Sequence, residues 1–466
     1  MRENLTYGLM RRGWVAPALY SEIMQCKKMW ITPMKKVGGM NVKNQETWKK
    51  RGIIRQILKD HFHGFMEMHG HHLPKGLHSS ITETVNKAIR CGTRDMGYAR
   101  YECKGCTKGA PEPVFICFTC KSRFCHGCGK KYTDEWAEKQ QERILNVPHR
   151  HMVFTVPQEL RKVFFQDRHK LNELSKQVAK VIQYYYRRKN KSKKYEVGVI
   201  TVIHTFGRDL KFNPHIHTLI TEGALEQNKE WKKVEYISYE YLRKAWQKLL
   251  LDLMMKWYPK EEWIKGLVNE LYQRYPQGFY VNAEQRMKDA RGAAKYIGRY
   301  LARPAIAEYR VVSYDYHKVH YWYKDHRTGK RVDVVSPVMK FIYDLVQHIP
   351  PKHFRMVGRY GLYSRGKNKE SQKVINLWRF MVHKQIEMTF PAEERKKKSY
   401  RQRMLESYGR DPMRCPCCKH RMLLVVIWHA EYGRIYYYDE EREYANQKKW
   451  GMRKGGKSTR TKERTG

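Results

Sequence analysis

Asn213-Pro-His-Ile-His217 is the stretch on which the fold turns, because its two histidines flank a single apolar residue. In a strand, residues i and i+2 project from one face, so His215 and His217 can reach the same ion while Ile216 packs into the core beneath. A helix would splay the two rings to opposite sides. The surroundings favour a strand: Val197 to Phe206 is β-branched and apolar, Gly207 to Lys211 is turn-like, and His215 to Thr221 is apolar again. The two segments read as an antiparallel hairpin. A turn near Asp209 and Leu210 would bring His204 opposite His215 as a third ligand, with Asp209 and Asn213 as alternatives. Two similar patterns are set aside. His61-Phe62-His63 falls in a helical stretch, and His149-Arg150-His151 has no apolar residue to anchor its middle position.

Working outward, His151-Met-Val-Phe-Thr-Val reads as a strand, and Pro157 opens one long helix with apolar positions at Leu160, Val163, Phe164, Leu171, Leu174 and Val178. Upstream, Ile53 to His61 and Ile81 to Ile89 are amphipathic helices. Downstream, Ser238 to Tyr258, Glu261 to Tyr275 and Asp289 to Arg303 read as helices, the last closed by Pro304. A second hairpin is expected over His320 to Val335, turning at Arg327-Thr-Gly-Lys330. This order predicts an α+β fold with an antiparallel sheet flanked by helices.

Tyr296 and Tyr300 stand one turn apart on the helix Asp289 to Arg303, beside an apolar stripe of Ile297 and Leu301. Both phenols can face one site. In a chain with 33 tyrosines the spacing alone is weak, and Tyr432 with Tyr436 repeats it; weight comes from its combination with the histidines. A phenol of pKa about 10 is a poor nucleophile at neutral pH. A metal at the histidines, polarising a non-bridging phosphate oxygen, would supply most of the activation, and Lys295 and Arg299 could add positive charge. Attack on a phosphodiester would leave tyrosine on the 5′ phosphate and free a 3′ hydroxyl. The new bond conserves the ligation energy, so rejoining needs no nucleotide cofactor.

Composition points to the same kind of substrate. Lys+Arg 93 against Asp+Glu 46 gives a formal net charge of +47, spread along the chain, and a polyanion is the natural partner. Aromatic residues at 13% suit a folded basic protein with stacking surfaces for unpaired bases. The length of 466 residues accommodates roughly two to four domains. The N-terminal residues lack a signal-peptide pattern, and the apolar run Leu423 to Trp428 is too short to span a bilayer. A soluble, intracellular protein is expected.

Of the 11 cysteines, seven lie between Cys91 and Cys128 and three between Cys415 and Cys418, a clustering that in a reducing compartment indicates metal. Cys103-x-x-Cys106, Cys117-x-x-Cys120 and Cys125-x-x-Cys128 are three chelating pairs. Cys103 and Cys106 are expected to join Cys125 and Cys128 around one Zn²⁺. Cys91, Cys117 and Cys120, with His126, are left for a second ion. The expected role is to fold a small module that grips DNA. Cys415-Pro-Cys417-Cys418-x-His420 forms half a site at best, to be completed by a distant ligand such as His429, or else simply reduced cysteines.

Taken together, these motifs resemble the His-hydrophobe-His (HUH) single-strand endonucleases, and specifically the two-tyrosine rolling-circle transposases of the insertion-sequence ninety-one family. The resemblance covers most of residues 50 to 425. It runs through Cys91-Gly-Thr, Cys120-Lys-Ser-Arg-Phe-Cys125-His-Gly-Cys128, His151-Met-Val-Phe-Thr-Val-Pro157, His204-Thr-Phe-Gly and Asn213-Pro-His-Ile-His217. It continues in Lys295-Tyr-Ile-Gly-Arg-Tyr-Leu-Ala-Arg-Pro304, Tyr323-Lys-Asp-His-Arg-Thr-Gly and Pro350-Pro-Lys-His-Phe-Arg-Met-Val-Gly-Arg-Tyr-Gly361. It implies a zinc-binding domain ahead of an HUH nuclease, His215 and His217 as metal ligands, Tyr296 and Tyr300 as nucleophiles, and Mg²⁺ or Mn²⁺ at the histidines. It also implies single-stranded DNA of element ends and target as partner, a host helicase to supply it, and action at the bacterial nucleoid. The expected layout is an extension of unknown role (1–48), a helical and zinc-binding domain (49–145), the nuclease domain (146–310), a C-terminal transposase region (311–410) and a cysteine-containing segment with a basic tail (411–466). Residues 391–403 and 441–466 are expected to be flexible. A replication initiator or relaxase of the same chemistry is the competing reading, and a noncatalytic zinc-containing DNA-binding regulator the next.

Overall fold

The computed structural model describes residues 52–438 except 107–108, 110, 142, 190–193, 235–236, 288–289, 302–303, 326–327, 384–398, 400, 403–404, 406–410 and 412. The extension 1–48, the tail 441–466 and most of 391–403 lie outside the described residues. Two amphipathic helices come first, α1 (Ile53–His69) and α2 (His78–Arg90). The cysteine-rich block forms a ribbon, β1 (Gly97–Glu102) and β2 (Val114–Cys117), and then helix α3 (His126–Gln141). Strand β3 (His149–Thr155) leads into the main sheet.

After Pro157 the expected single helix is two, α4 (Arg161–Gln166) and α5 (Lys170–Lys189). Asp167 makes the break: its backbone is extended (φ −125, ψ 98), and its carboxylate accepts hydrogen bonds from the His169 N–H at 3.0 Å and Lys170 Nζ at 2.8 Å. Leu160, Val163, Phe164, Leu171, Leu174 and Val178 are all buried in one core across the break. Apolar periodicity therefore carries no trace of it.

β4 (Gly198–Phe206) and β5 (Phe212–Thr221) form the hairpin, with His204 opposite His215. A short ribbon follows, β6 (Gly223–Leu225) with β7 (Trp231–Lys233), then helices α6 (Tyr239–Trp257) and α7 (Glu262–Arg274). Strand β8 (Val281–Met287) and helix α8 (Ala290–Leu301) complete this part. Beyond them, β9 (Val311–Tyr314), β10 (Lys318–Lys324) and β11 (Arg331–Pro337) make a three-stranded sheet. Helix α9 (Val338–Val346), strand β12 (Val357–Gly361), helix α10 (Asn368–His383) and the strands β13 (Leu423–His429) and β14 (Gly433–Tyr437) end the described chain.

The main sheet has the order β12-β4-β5-β3-β8, and each pairing is antiparallel. Side-chain alternation sorts its faces. Phe154, Ile203, Ile216 and Ile220 pack with residues of α5 and α6, whereas Ile200, Val202 and Leu219 pack with Ala293, Ala294 and Ile297 of α8. The fold is α+β, with helices on both faces of an antiparallel sheet. β12 closes one edge through Gly361 (φ +58), where a Cβ would lie 1.9 Å from the Val197 carbonyl oxygen, so only glycine fits.

Spatial units cut across the linear divisions at 145, 310 and 410. The C-terminal β13 and β14 join β1 and β2 in one four-stranded sheet. The core of α1 and α2 is shared with α9 and residues of β9 and β10. Among the described residues no helix is long and apolar enough to cross a membrane.

Candidate metal and nucleophile site

His204, His215 and His217 bring one ring nitrogen each within 4.8 Å of the others. The rigid hairpin does this: His204 and His215 are cross-strand partners, and His217 lies two residues on, on the same face. The backbone carbonyl of Asn213 accepts a hydrogen bond from His215 Nδ1 at 2.7 Å, while the side-chain Oδ1 of Asn213, weighed as a ligand, is buried without a hydrogen-bond partner. The lone pair of His215 is thereby on Nε2, which faces His217 Nε2 at 3.1 Å. Asp209 sits in the turn, where its carboxylate accepts from the Lys211 N–H at 3.3 Å, and is not part of the group.

His151, set aside on sequence, belongs here. It is fully buried, its Nε2 lies 3.0 Å from His217 Nδ1, and its Nδ1 lies 3.3 Å from Tyr296 Oη. Burial first, and the neighbouring His215 second, lower its pKa to about 4, so the ring is neutral and carries one proton. Asn213 O, His215, His217, His151 and Tyr296 thus form a continuous polar path from the histidine group to a phenol. A neutral path can run with Tyr296 donating to His151 and His217 donating to His215. It can also run reversed between His217 and Tyr296, with His217 Nδ1–H donating to His151 Nε2 and His151 Nδ1–H to Tyr296 Oη. The missing apolar residue that hid His151 has its own explanation: Arg150 projects the other way and pairs with buried Glu222 at 2.6 Å. Only the pairing of β3 with β5, which sets Val153 against His217, brings His151 into range.

Tyr296 is buried on α8, whose Ala293, Ala294 and Ile297 pack on the sheet. The spacing that places Tyr300 one turn further is kept by the helix, but the side chains of Lys295, Arg299 and Tyr300 lie outside the described ones. Ile144, Leu145 and Val147, following α3, and the partly buried Trp136 within it share the core of α8.

The thiols group differently from the expected pairing. Cys91, Cys120, Cys125 and Cys128 form one set and Cys103, Cys106, Cys415 and Cys418 another. β1 is the reason. Its six residues, at ~3.4 Å each, separate the Cys91 and Cys120 end from the Cys103 end by roughly 17 Å, too far for Cys103 and Cys106 to share an ion with Cys125 and Cys128. Cys117 stands on β2 opposite Tyr98 and belongs to neither set. His126 is also outside: its Nε2 lies 2.7 Å from the Ile306 carbonyl oxygen. His429 pairs with Gly97 at the far end of β13 from Cys418 and completes no site.

In the first set the Cys91–Cys128 and Cys120–Cys128 sulfur separations are 3.5 and 3.7 Å. A tetrahedron with Zn–S arms of ~2.3 Å has edges of about 3.8 Å, so this set fits Zn²⁺. Three imidazoles fit a divalent cation of borderline softness; of the two ions expected there, Mn²⁺ suits them better than Mg²⁺.

Comparison with known proteins bears on both regions. Residues 57–156 match a family described as "Transposase zinc-binding domain", and residues 198–372 one described as "Putative transposase". The chain is 30% identical over 361 residues to the transposase for insertion sequence element IS801 of Pseudomonas savastanoi pv. phaseolicola, covering 75% of this chain and 84% of that one. It is 24% identical to "Putative transposase y4qJ" of Sinorhizobium fredii, covering 66% and 80%. No solved structure matches.

Proposed function

The chain belongs to the IS91 family of transposases, and from that premise we propose that it cuts and rejoins single-stranded DNA at the ends of an insertion sequence, with Tyr296 as nucleophile. The observation that carries the reading is the polar path from His215 and His217 through His151 to Tyr296. His204, His215 and His217 would hold Mn²⁺ or Mg²⁺, which when bound polarises a non-bridging phosphate oxygen.

With its Nε2 turned to the ion, His217 would keep its proton on Nδ1 and donate a hydrogen bond to His151 Nε2. His151 then presents Nδ1–H to Tyr296 Oη and favours the phenolate. The Tyr296 phenol gives up its proton to water, and its oxygen bonds to phosphorus as the P–O3′ bond breaks. The departing oxygen takes up a proton and becomes a 3′ hydroxyl, leaving a 5′-phosphotyrosine, and attack by a 3′ hydroxyl reverses the sequence. Tyr300 would serve the second cleavage, and Lys295 and Arg299 would add positive charge around the phosphate. A host helicase would supply the single strand. Zn²⁺ at Cys91, Cys120, Cys125 and Cys128 would anchor the start of α3, the helix behind α8.

The test is incubation of full-length protein with single-stranded oligonucleotides carrying the element's ends and Mn²⁺. A protease-sensitive 5′ adduct that maps to Tyr296 is the expected product. Absence of adduct with every end sequence sinks the nuclease reading, and an adduct mapped outside α8 sinks the assignment of the nucleophile.

A further inference from the structure

We infer that Cys103, Cys106, Cys415 and Cys418 are a second, structural zinc site that staples the C-terminal strands β13 and β14 onto the N-terminal ribbon. The site draws half its ligands from outside the matched zinc-binding residues 57–156. It does not depend on the nuclease chemistry.

Three observations carry it. The Cys103–Cys418 and Cys106–Cys415 sulfur separations are 3.6 and 3.9 Å, which bracket the tetrahedral edge of about 3.8 Å and are nearly twice a disulfide bond. Each half is a knuckle whose backbone N–H groups point at sulfur, Gly105 toward Cys103, and Cys417 and Cys418 toward Cys415. The second knuckle is itself a closed turn: the Cys415 N–H donates to the His420 carbonyl at 2.8 Å, the Lys419 N–H to the Cys415 carbonyl at 3.1 Å, and Lys419 takes a positive φ of 62°. Cys415 is buried while Cys417 between the ligands is exposed, so the turn itself selects the two inward thiols.

Position gives the site its consequence. Cys103 directly follows β1, and Cys418 precedes β13, whose Leu423 pairs with Glu102. The ion would sit at the end of the β1–β13 pair, closing a separation of 315 residues and fixing the register of strands far apart in sequence. No four-stranded sheet forms there until the C-terminal segment arrives.

Metal analysis and native mass spectrometry of the full chain, purified without added metal, test this. Two zinc ions per chain are expected, falling to one in Cys415→Ser/Cys418→Ser, while Cys417→Ser keeps both. In the double variant, amide exchange should rise in residues 97–102 and 423–437 and stay unchanged in 198–221. One zinc in the wild type, iron in its place, or two zincs retained in the double variant overturns the proposal. Should the variant fold poorly, timed alkylation of the wild type decides: Cys417 should react at once, and Cys103, Cys106, Cys415 and Cys418 together only as zinc leaves. Immediate labelling of any of those four, or their recovery as disulfides, overturns it.

Discussion

The histidine group draws its three donors from one hairpin of the main sheet, whereas the thiol groups gather four each from separate segments, 315 residues apart in the second set. The difference is chemical as well as topological. Three imidazoles leave coordination positions for a phosphate oxygen, and four thiolates leave none. The hairpin is held by strand pairing and by Ile216 in the core, so its geometry does not depend on an ion. The second thiol group lies among short strands outside the three hydrophobic cores, where bound metal is itself folding free energy. On the proposed reading, one region would use its metal on a substrate and the other would use it on the chain.

The largest effect should come from removing the reacting groups. Tyr296→Phe with Tyr300→Phe should reduce covalent adduct to background while single-strand binding, read by fluorescence anisotropy, stays within about twofold. His217→Ala should abolish metal-dependent cleavage with the zinc content unchanged. Wild-type adduct in the double Phe variant would place the nucleophile elsewhere, and cleavage by His217→Ala would remove the hairpin from the reaction.

Metal stripping separates the two regions directly. Brief EDTA dialysis should silence cleavage, leave zinc and near-ultraviolet circular dichroism intact, and be reversed by Mn²⁺. A mercurial that displaces zinc from thiolates should instead collapse the signature of the cysteine region, and Mn²⁺ should not restore it. If EDTA unfolds the cysteine region as readily as it stops cleavage, the division between a working ion and a structural one fails.

What was legible in the sequence follows the same division. The β4–β5 hairpin is local: alternation, a turn-like pentapeptide and apolar strands predict His204 opposite His215, and the register agrees. His151 is 66 residues from His217, and its place depends on β3 pairing with β5, which alternation within either strand cannot specify. The thiols are more extreme. C-x-x-C spacing identifies knuckles but carries nothing about which knuckles meet, and the length of β1 decides that Cys103 and Cys106 turn away from Cys125 and Cys128 toward the C-terminus. The break at Asp167 stayed hidden for a different reason, since the apolar side chains before and after it enter one core.

The smallest of these effects is the most informative about the boundary between the regions. His151 contacts both His217 and Tyr296 and sits outside the three-nitrogen group, so its loss should weaken both without removing either. Groups that orient a ligand's second nitrogen are typically worth about 10–100-fold in metal affinity or activity. His151→Ala should therefore lower cleavage about 10–100-fold, raise the Mn²⁺ concentration needed for half-maximal rate, and respond to added imidazole, which can occupy the vacated space. A residue that only filled the core would lower the melting temperature, leave the Mn²⁺ requirement unchanged and show no imidazole rescue. That outcome would cut the path to Tyr296 and leave the phenol to be activated from the solvent side.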